Sequence, residues 1–407
     1  MNYIIVTTDA LRADLANDPT LMPCFHRFLS KYGGMKFMNA YSVATWTLPV
    51  QMSLYTGLLP YHNGLYDITY VKHLHRLLKE HESLRAVKCS DDDFLITKLK
   101  KKGYVNKFFG GEYVWRYLAK SAYHLFDKSI FWDESNFFQL DVLRTEPLEK
   151  PFCYFTWDFD SGHEPYGVWP RDGRISREWR QRIPGGGRMS FLKYVHLHRD
   201  QYPQEKLFKL CRAQLKQYDK KLKHFLKWFV DEKLHEDTAI FFLSDHGEAL
   251  WEHNWCGHAI NCYEEIMSIP FFVYWPGRPS GLEEIDDLVS PVVDIAPTIL
   301  NEQRDGDGIN LFSRDKDRTA FFEFTRQWRV LDKKEEYWKK LPSLNVFIRG
   351  LRHRDYKFLY NRDVRGRVST ELYDFSQSRD ETPGTQIHDE DLERGYLTRL
   401  KEQYDDI

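Results

Sequence analysis

Thr238-Ala239-Ile240-Phe241-Phe242-Leu243-Ser244-Asp245-His246-Gly247-Glu248 is an unbroken apolar run closed by Asp-His-Gly. Continuous apolarity, as opposed to alternation, is what a strand covered on both faces of a parallel sheet requires. The start of the chain has the same form: Tyr3-Ile4-Ile5-Val6-Thr7-Thr8-Asp9 is apolar and β-branched, and it ends in a carboxylate. A third run, Phe155-Thr156-Trp157-Asp158-Phe159-Asp160-Ser161-Gly162-His163, again reads as strand, carboxylate, histidine, with Asp158 and Asp160 both open as the acid. Between these runs lie helical patterns over Pro23–Tyr32, Asp92–Lys102 and Leu207–Val230. The last has apolar residues on one face and lysines between them. Strands alternating with helices predict an α/β fold, a mostly parallel sheet sandwiched by helices. In that architecture the acids at the strand ends converge on one edge.

Ala44-Thr45-Trp46-Thr47-Leu48-Pro49-Val50-Gln51-Met52-Ser53-Leu54-Tyr55-Thr56-Gly57 places a hydroxyl two residues before a proline at the head of an apolar helix-like run. Read alone, Thr47 serves equally well as a helix cap. With the three strand-end islands and with Gly257-His258 followed by Tyr263-Glu264-Glu265, the chain resembles the sulfatase and alkaline phosphatase superfamily. There the nucleophile sits on a turn opening a helix. The resemblance implies an alkaline phosphatase-like fold with Thr47 as nucleophile. Asp9, Thr47, Asp245 and His246 would surround one divalent ion. Asp160, His163 and His258 would surround a second, about 4 Å away. His253 stays open.

The sequence departs from the sulfatase pattern at four places: Thr47 for the cysteine, Gln51 for the arginine, Ala10 for a second aspartate, and His246 for an asparagine. Threonine carries a methyl on Cβ and cannot become the aldehyde of formylglycine, yet its hydroxyl attacks once its pKa is depressed. Nitrogen ligands suit zinc, with manganese as the alternative. The expected activity is a metal-dependent phosphodiesterase or phosphatase working through a covalent phosphothreonine. Behind it stand a phosphoethanolamine- or phosphoglycerol-type transferase, a sulfuric ester hydrolase and an inactive binding scaffold, in that order. The substrate expected is a small-molecule or glycan- or lipid-linked phosphoester.

The 407 residues divide at Arg304-Asp305-Gly306-Asp307-Gly308, which reads as a linker. Residues 1–305 form the expected catalytic domain and 306–407 a small C-terminal α+β subdomain built on an antiparallel sheet. An Arg-rich segment from about 167 to 206 interrupts the first domain as an insertion. The formal net charge of -2 offers no bulk attraction to nucleic acid or anionic membranes. No apolar run is long enough to span a bilayer and no basic leader precedes the first strand, so a cytoplasmic enzyme is expected. The six cysteines show no paired spacing, which predicts reduced, packed thiols.

Overall fold

The computed structural model describes residues 1–64, 89–111, 122–132, 139–158, 195–196, 198–313, 315–325, 345–363, 366–405 and 407. Its centre is an eight-stranded sheet built from β1 (Asn2–Thr8), β2 (Gly34–Ala40), β3 (Val105–Gly111), β4 (Lys128–Trp132), β5 (Phe152–Asp158) and β6 (Thr238–Ser244). A two-residue pair, β7 (Ala249–Leu250) and β8 (Cys256–Gly257), follows. The sheet is then completed by β9 (Phe271–Tyr274) and β10 (Leu282–Val289). The order across it is β10-β2-β9-β6-β1-β5-β3-β4, and β9 alone among them runs antiparallel to its neighbours.

The apolar runs of β1 and β6 face two cores at once, as their lack of alternation demands. Tyr3, Ile5, Ala239, Phe241 and Leu243 point into one; Ile4, Val6, Ile240 and Phe242 point into the other. Helices α1 (Pro23–Tyr32) and α4 (Gln204–Asp231) cover the second face, with Phe25, Phe28, Leu222, Phe225 and Phe229 packed inward. Helices α2 (Thr47–Thr56), α3 (Leu95–Lys101) and α5 (Pro291–Leu300) cover the first. Each large apolar side chain removed from water in this way contributes roughly 1.5–3 kcal/mol. Helix α2 is buried on all sides and stops at Gly57, whose φ of 68° closes the helix in the left-handed region.

The Arg304–Gly308 stretch is a tight hairpin instead of a linker. Its strands are β11 (Arg304–Asp305) and β12 (Gly308–Ile309). Composition suggested a loose tether, but its acids are tied down: Asp305 meets Lys98 at 2.7 Å, and Asp307 holds the Leu59 amide and His62, each at 2.7 Å. Gly306 packs so closely that a Cβ there would lie 2.7 Å from the Gly57 carbonyl oxygen.

A separate antiparallel sheet, β13 (Thr319–Thr325), β14 (Asn345–His353), β15 (Tyr356–Asp363) and β16 (Val368–Asp374), is backed by α6 (Glu390–Gln403). Leu351, Phe358 and Leu372 pack against Tyr396, Leu400 and Tyr404. The sheet joins the main body beside the start of α2, where the Glu323 amide donates to the Val43 carbonyl at 3.0 Å. Of the Arg-rich insertion, residues 195–196 and 198–206 are described, and they are anchored. Trp251 donates its indole N–H to the Tyr202 carbonyl at 2.7 Å, and the His196 ring lies 4.4 Å from that of Trp255. No helix among the described residues is long and apolar enough to cross a membrane.

Candidate active site

Strand register builds the site. Thr8 pairs with Ser244 on one side and with Asp158 on the other, so Asp9 and Asp245 leave their strands at the same level. The backbone continues the ladder one step further: Asp9 N–H donates to the Asp158 carbonyl at 2.9 Å and Asp245 N–H to the Thr8 carbonyl at 3.0 Å. Ala10 then turns into the left-handed region, with φ 54°, which aims its amide at Asp245 Oδ1 (2.9 Å). A non-glycine residue held there stores strain of the kind that gathers at functional sites. Ser244 locks the turn, accepting from the Leu11 amide at 2.8 Å.

Asp9, Asp245 and His246 each offer a ligand atom, and these lie within 4.8 Å of one another. Asp9 is 1% exposed, while Asp245 and His246 are fully buried. His246 Nδ1 lies 2.8 Å from the Gly247 carbonyl and donates to it. Its Nε2 lone pair is therefore left facing Asp245 Oδ2 at 3.2 Å, Asp9 Oδ1 at 3.8 Å and the Thr47 hydroxyl at 3.5 Å. Thr47 Oγ1 is also 3.4 Å from Asp9 Oδ2. A nitrogen lone pair, two buried carboxylates and a hydroxyl converge, which is the donor set a divalent cation satisfies.

The electrostatics agree. Burial pushes Asp9 up to about 7; Glu248 adds to the rise, while His258, Trp157 and Thr47 oppose it. Burial, and then the charge of Asp9, lift Asp245 well above the carboxylate range. His258 stands next to this cluster, its ring 4.4 Å from that of His246. Its Nδ1 is 3.1 Å from Glu248 Oε1. Burial alone would lower its pKa, but Glu248 and the two aspartates outweigh it and raise it to about 9.

The structure thus brings together Asp9, Thr47, Asp245 and His246, with His258 at their side. Asp160 and His163 lie outside the described residues. Asp158 is buried at the end of β5, level with Asp9 through its backbone. His253 is not part of the cluster: it stacks on Tyr263, with ring centroids 3.9 Å apart, and approaches Glu265 at 3.7 Å. Cys256 and Cys262 are reduced thiols, both buried. Two residues had no role in the sequence reading. Glu248 orients His258, and its place directly after Asp-His-Gly was the available signal. Arg12 ties Glu252 (2.9 Å) to the Glu248 carbonyl (2.8 Å), and an arginine three residues past the strand-end acid marked it.

The sulfatase family model matches residues 189–301. An endo-4-O-sulfatase of Bacteroides thetaiotaomicron is 37% identical over 76 residues, which is 19% of this chain and only 15% of that protein's length. Over nearly its whole length the fold is similar to that of the phosphonate monoester hydrolase of Agrobacterium radiobacter. The TM-score is 0.65 at 16% identity, covering 99% of this chain and 95% of the other. It is equally similar to a 2-O GAG sulfatase, with a TM-score of 0.66 at 16% identity, covering 100% and 94%. The protein has the alkaline phosphatase-like sulfatase fold. The sulfatase match is confined to residues 189–301, and over the rest of the chain the likeness is one of fold.

Proposed function

We propose that this protein is a metal-dependent hydrolase of phosphoric esters, carried on a small molecule or a glycan, and that Thr47 is its nucleophile. One observation carries the reading: at the position where the superfamily holds its nucleophile stands an unconvertible hydroxyl, 3.4 Å from Asp9 and 3.5 Å from His246. Asp9, Asp245, His246 and Thr47 would hold the ion, zinc before manganese given the nitrogen donor. A divalent ion there supplies positive charge that lowers the pKa of the hydroxyl and offsets charge on the ester. A second ion, held by Asp160, His163 and His258, is proposed on the superfamily resemblance.

The chain's own residues supply the rest. Thr47 opens α2, so the helix dipole favours negative charge on its oxygen. Thr47 Oγ1 bonds to phosphorus as the ester oxygen leaves, and water entering from the opposite side then breaks the phosphothreonine and restores the hydroxyl. Glu248 holds the His258 ring through Nδ1 and so fixes its direction beside the cluster. Replacing that water by an alcohol would make the same site a transferase.

Hydrolysis of sulfuric esters is the second reading, favoured by the family match over residues 189–301 and by the sulfatase names of the relatives. Matched aryl phosphate and aryl sulfate esters separate the two. The phosphoryl reading expects the phosphate to be cleaved at least about a hundredfold faster, or roughly 2.7 kcal/mol in barrier. Equal or reversed rates overturn it in favour of the sulfatase reading.

A further inference from the structure

Apart from the Thr47 cluster, a cavity of about 900 Å³ opens between residues 12–17, the end of β2, residues 252–254 and residues 379–383. None of Asp9, Thr47, Asp245, His246 and His258 lines it. It backs onto the same turn, however. The Gly247 amide donates to the Ile266 carbonyl at 2.8 Å, and a Cβ on Gly247 would lie 2.1 Å from the Glu265 carbonyl oxygen. On the far wall His253 and Asn254 are held in the left-handed region, with φ of 50° and 59°.

The cavity is acidic beyond what its own cations balance. Seven of the described residues that line it are carboxylates, against two arginines and one histidine. Those cations are already engaged. Arg12 pairs with Asp14 and with Glu252, each at 2.9 Å. Arg379 bonds Asn39 and stands 3.8 Å from Glu264. The fully buried Lys357 pairs with Glu264 at 3.1 Å and with Glu381 at 2.8 Å. Glu265 is left over. Its side chain is 7% exposed, its Oε1 makes no hydrogen bond, and its Oε2 comes only within 3.7 Å of His253 Nε2. Burial first, and then the charge of Glu252, push its carboxyl up to about 7 against the pull of Arg12 and Lys357. A buried carboxylate without a partner is costly, and a cation brought in from outside removes that cost.

We infer that this cavity binds a linear aliphatic polyamine, with one ammonium group on Glu265 and another toward Asp286 and Asp380, the exposed acids of the wall. A single divalent ion fits less well. Among the described residues, the acids here do not bring their oxygens together as Asp9, Asp245 and His246 bring their donor atoms, and a hard cation requires that convergence. The volume is that of a small-molecule pocket. Acids spread over separate chain segments suit a ligand whose charges are themselves spaced along a flexible chain. The site is distinct from the Thr47 cluster, so binding there does not depend on which ester the protein cleaves.

Spermidine is the probe, titrated calorimetrically into the metal-loaded protein at about 50 mM salt. The wild type should bind it, and the affinity should fall as salt rises. Glu265→Gln keeps the shape and removes the charge, and should bind at least about tenfold more weakly. If that variant fails to fold, Asp286→Asn/Asp380→Asn alters only exposed acids and should weaken binding at least about threefold. Thr47→Ala should bind spermidine as the wild type does, which separates this site from the nucleophile. No binding by the wild type, unchanged affinity in the folded variants, or displacement of spermidine by an equal concentration of magnesium overturns the inference. Tetralysine bound more tightly than spermidine overturns it in favour of a basic peptide.

Discussion

Stripping the metal should make the protein's stability fall with pH in a way the loaded protein does not share. In the ion-free fold, burial lifts Asp9 from its ordinary 3.8 to about 7 and lifts Asp245 in the same direction. A raised carboxyl binds more protons folded than unfolded, so stability is lost as pH rises through the window between the two values. His258, raised to about 9, acts with the same sign: its contribution is full below about 6.5 and disappears as pH climbs through 9. For Asp9 alone the lift corresponds to roughly 4 kcal/mol across pH 4 to 7. A bound divalent ion takes the place of those protons and removes the loss. Glu265 and Glu381 are also raised by burial, to about 7 and about 8, but they are not among the donors grouped as Asp9, Asp245 and His246 and should affect both forms alike. The assay is thermal unfolding from pH 5 to 8 with and without chelator. The gap in Tm should widen with pH, reaching on the order of 5 °C at pH 8. A gap that stays constant or narrows, or a chelator without effect at any pH, would refute the assignment of these buried acids to a cation.

Asp245→Asn and His246→Ala should each lower metal occupancy and activity together, because each removes a buried donor; retained metal and rate in both would reassign the cluster. Glu248→Gln keeps the shape but weakens the hold on His258, so kcat should drop about 10- to 100-fold with metal content unchanged. An unchanged kcat would make Glu248 merely structural. Thr47→Ser should stay within about tenfold of wild type while Thr47→Ala falls below about a thousandth, a difference of roughly 4 kcal/mol in barrier. Loss of Thr47's long contacts should cost less than about 1 kcal/mol of stability.

Much of the sheet and the meeting of Asp9, Thr47, Asp245 and His246 in the candidate site could be read because the same residues encode both. β1 and β6 are apolar on both faces, and the first polar side chains after them, Asp9 and Asp245, had to emerge at the sheet edge. Thr47 was readable because an apolar helix beginning after a hydroxyl is a local pattern. What escaped depended on contacts distant in sequence. β9 is as apolar as its parallel neighbours, so nothing in Phe271–Tyr274 reveals that it runs the other way between β2 and β6. The Gly306 hairpin looked like a tether until Lys98 and His62 supplied partners for its acids. Glu248 acquires its role only when the β7–β8 turn folds His258 back against it.

The central claim, that Thr47 carries the phosphoryl group, is tested most directly by trapping it. The metal-loaded protein is acid-quenched during turnover of an aryl phosphate, digested, and the peptide bearing Thr47 is sequenced by mass spectrometry. A phosphothreonine at Thr47, absent without substrate and absent from Thr47→Ala, is the expected result. No adduct under turnover, together with activity surviving in Thr47→Ala, would contradict it.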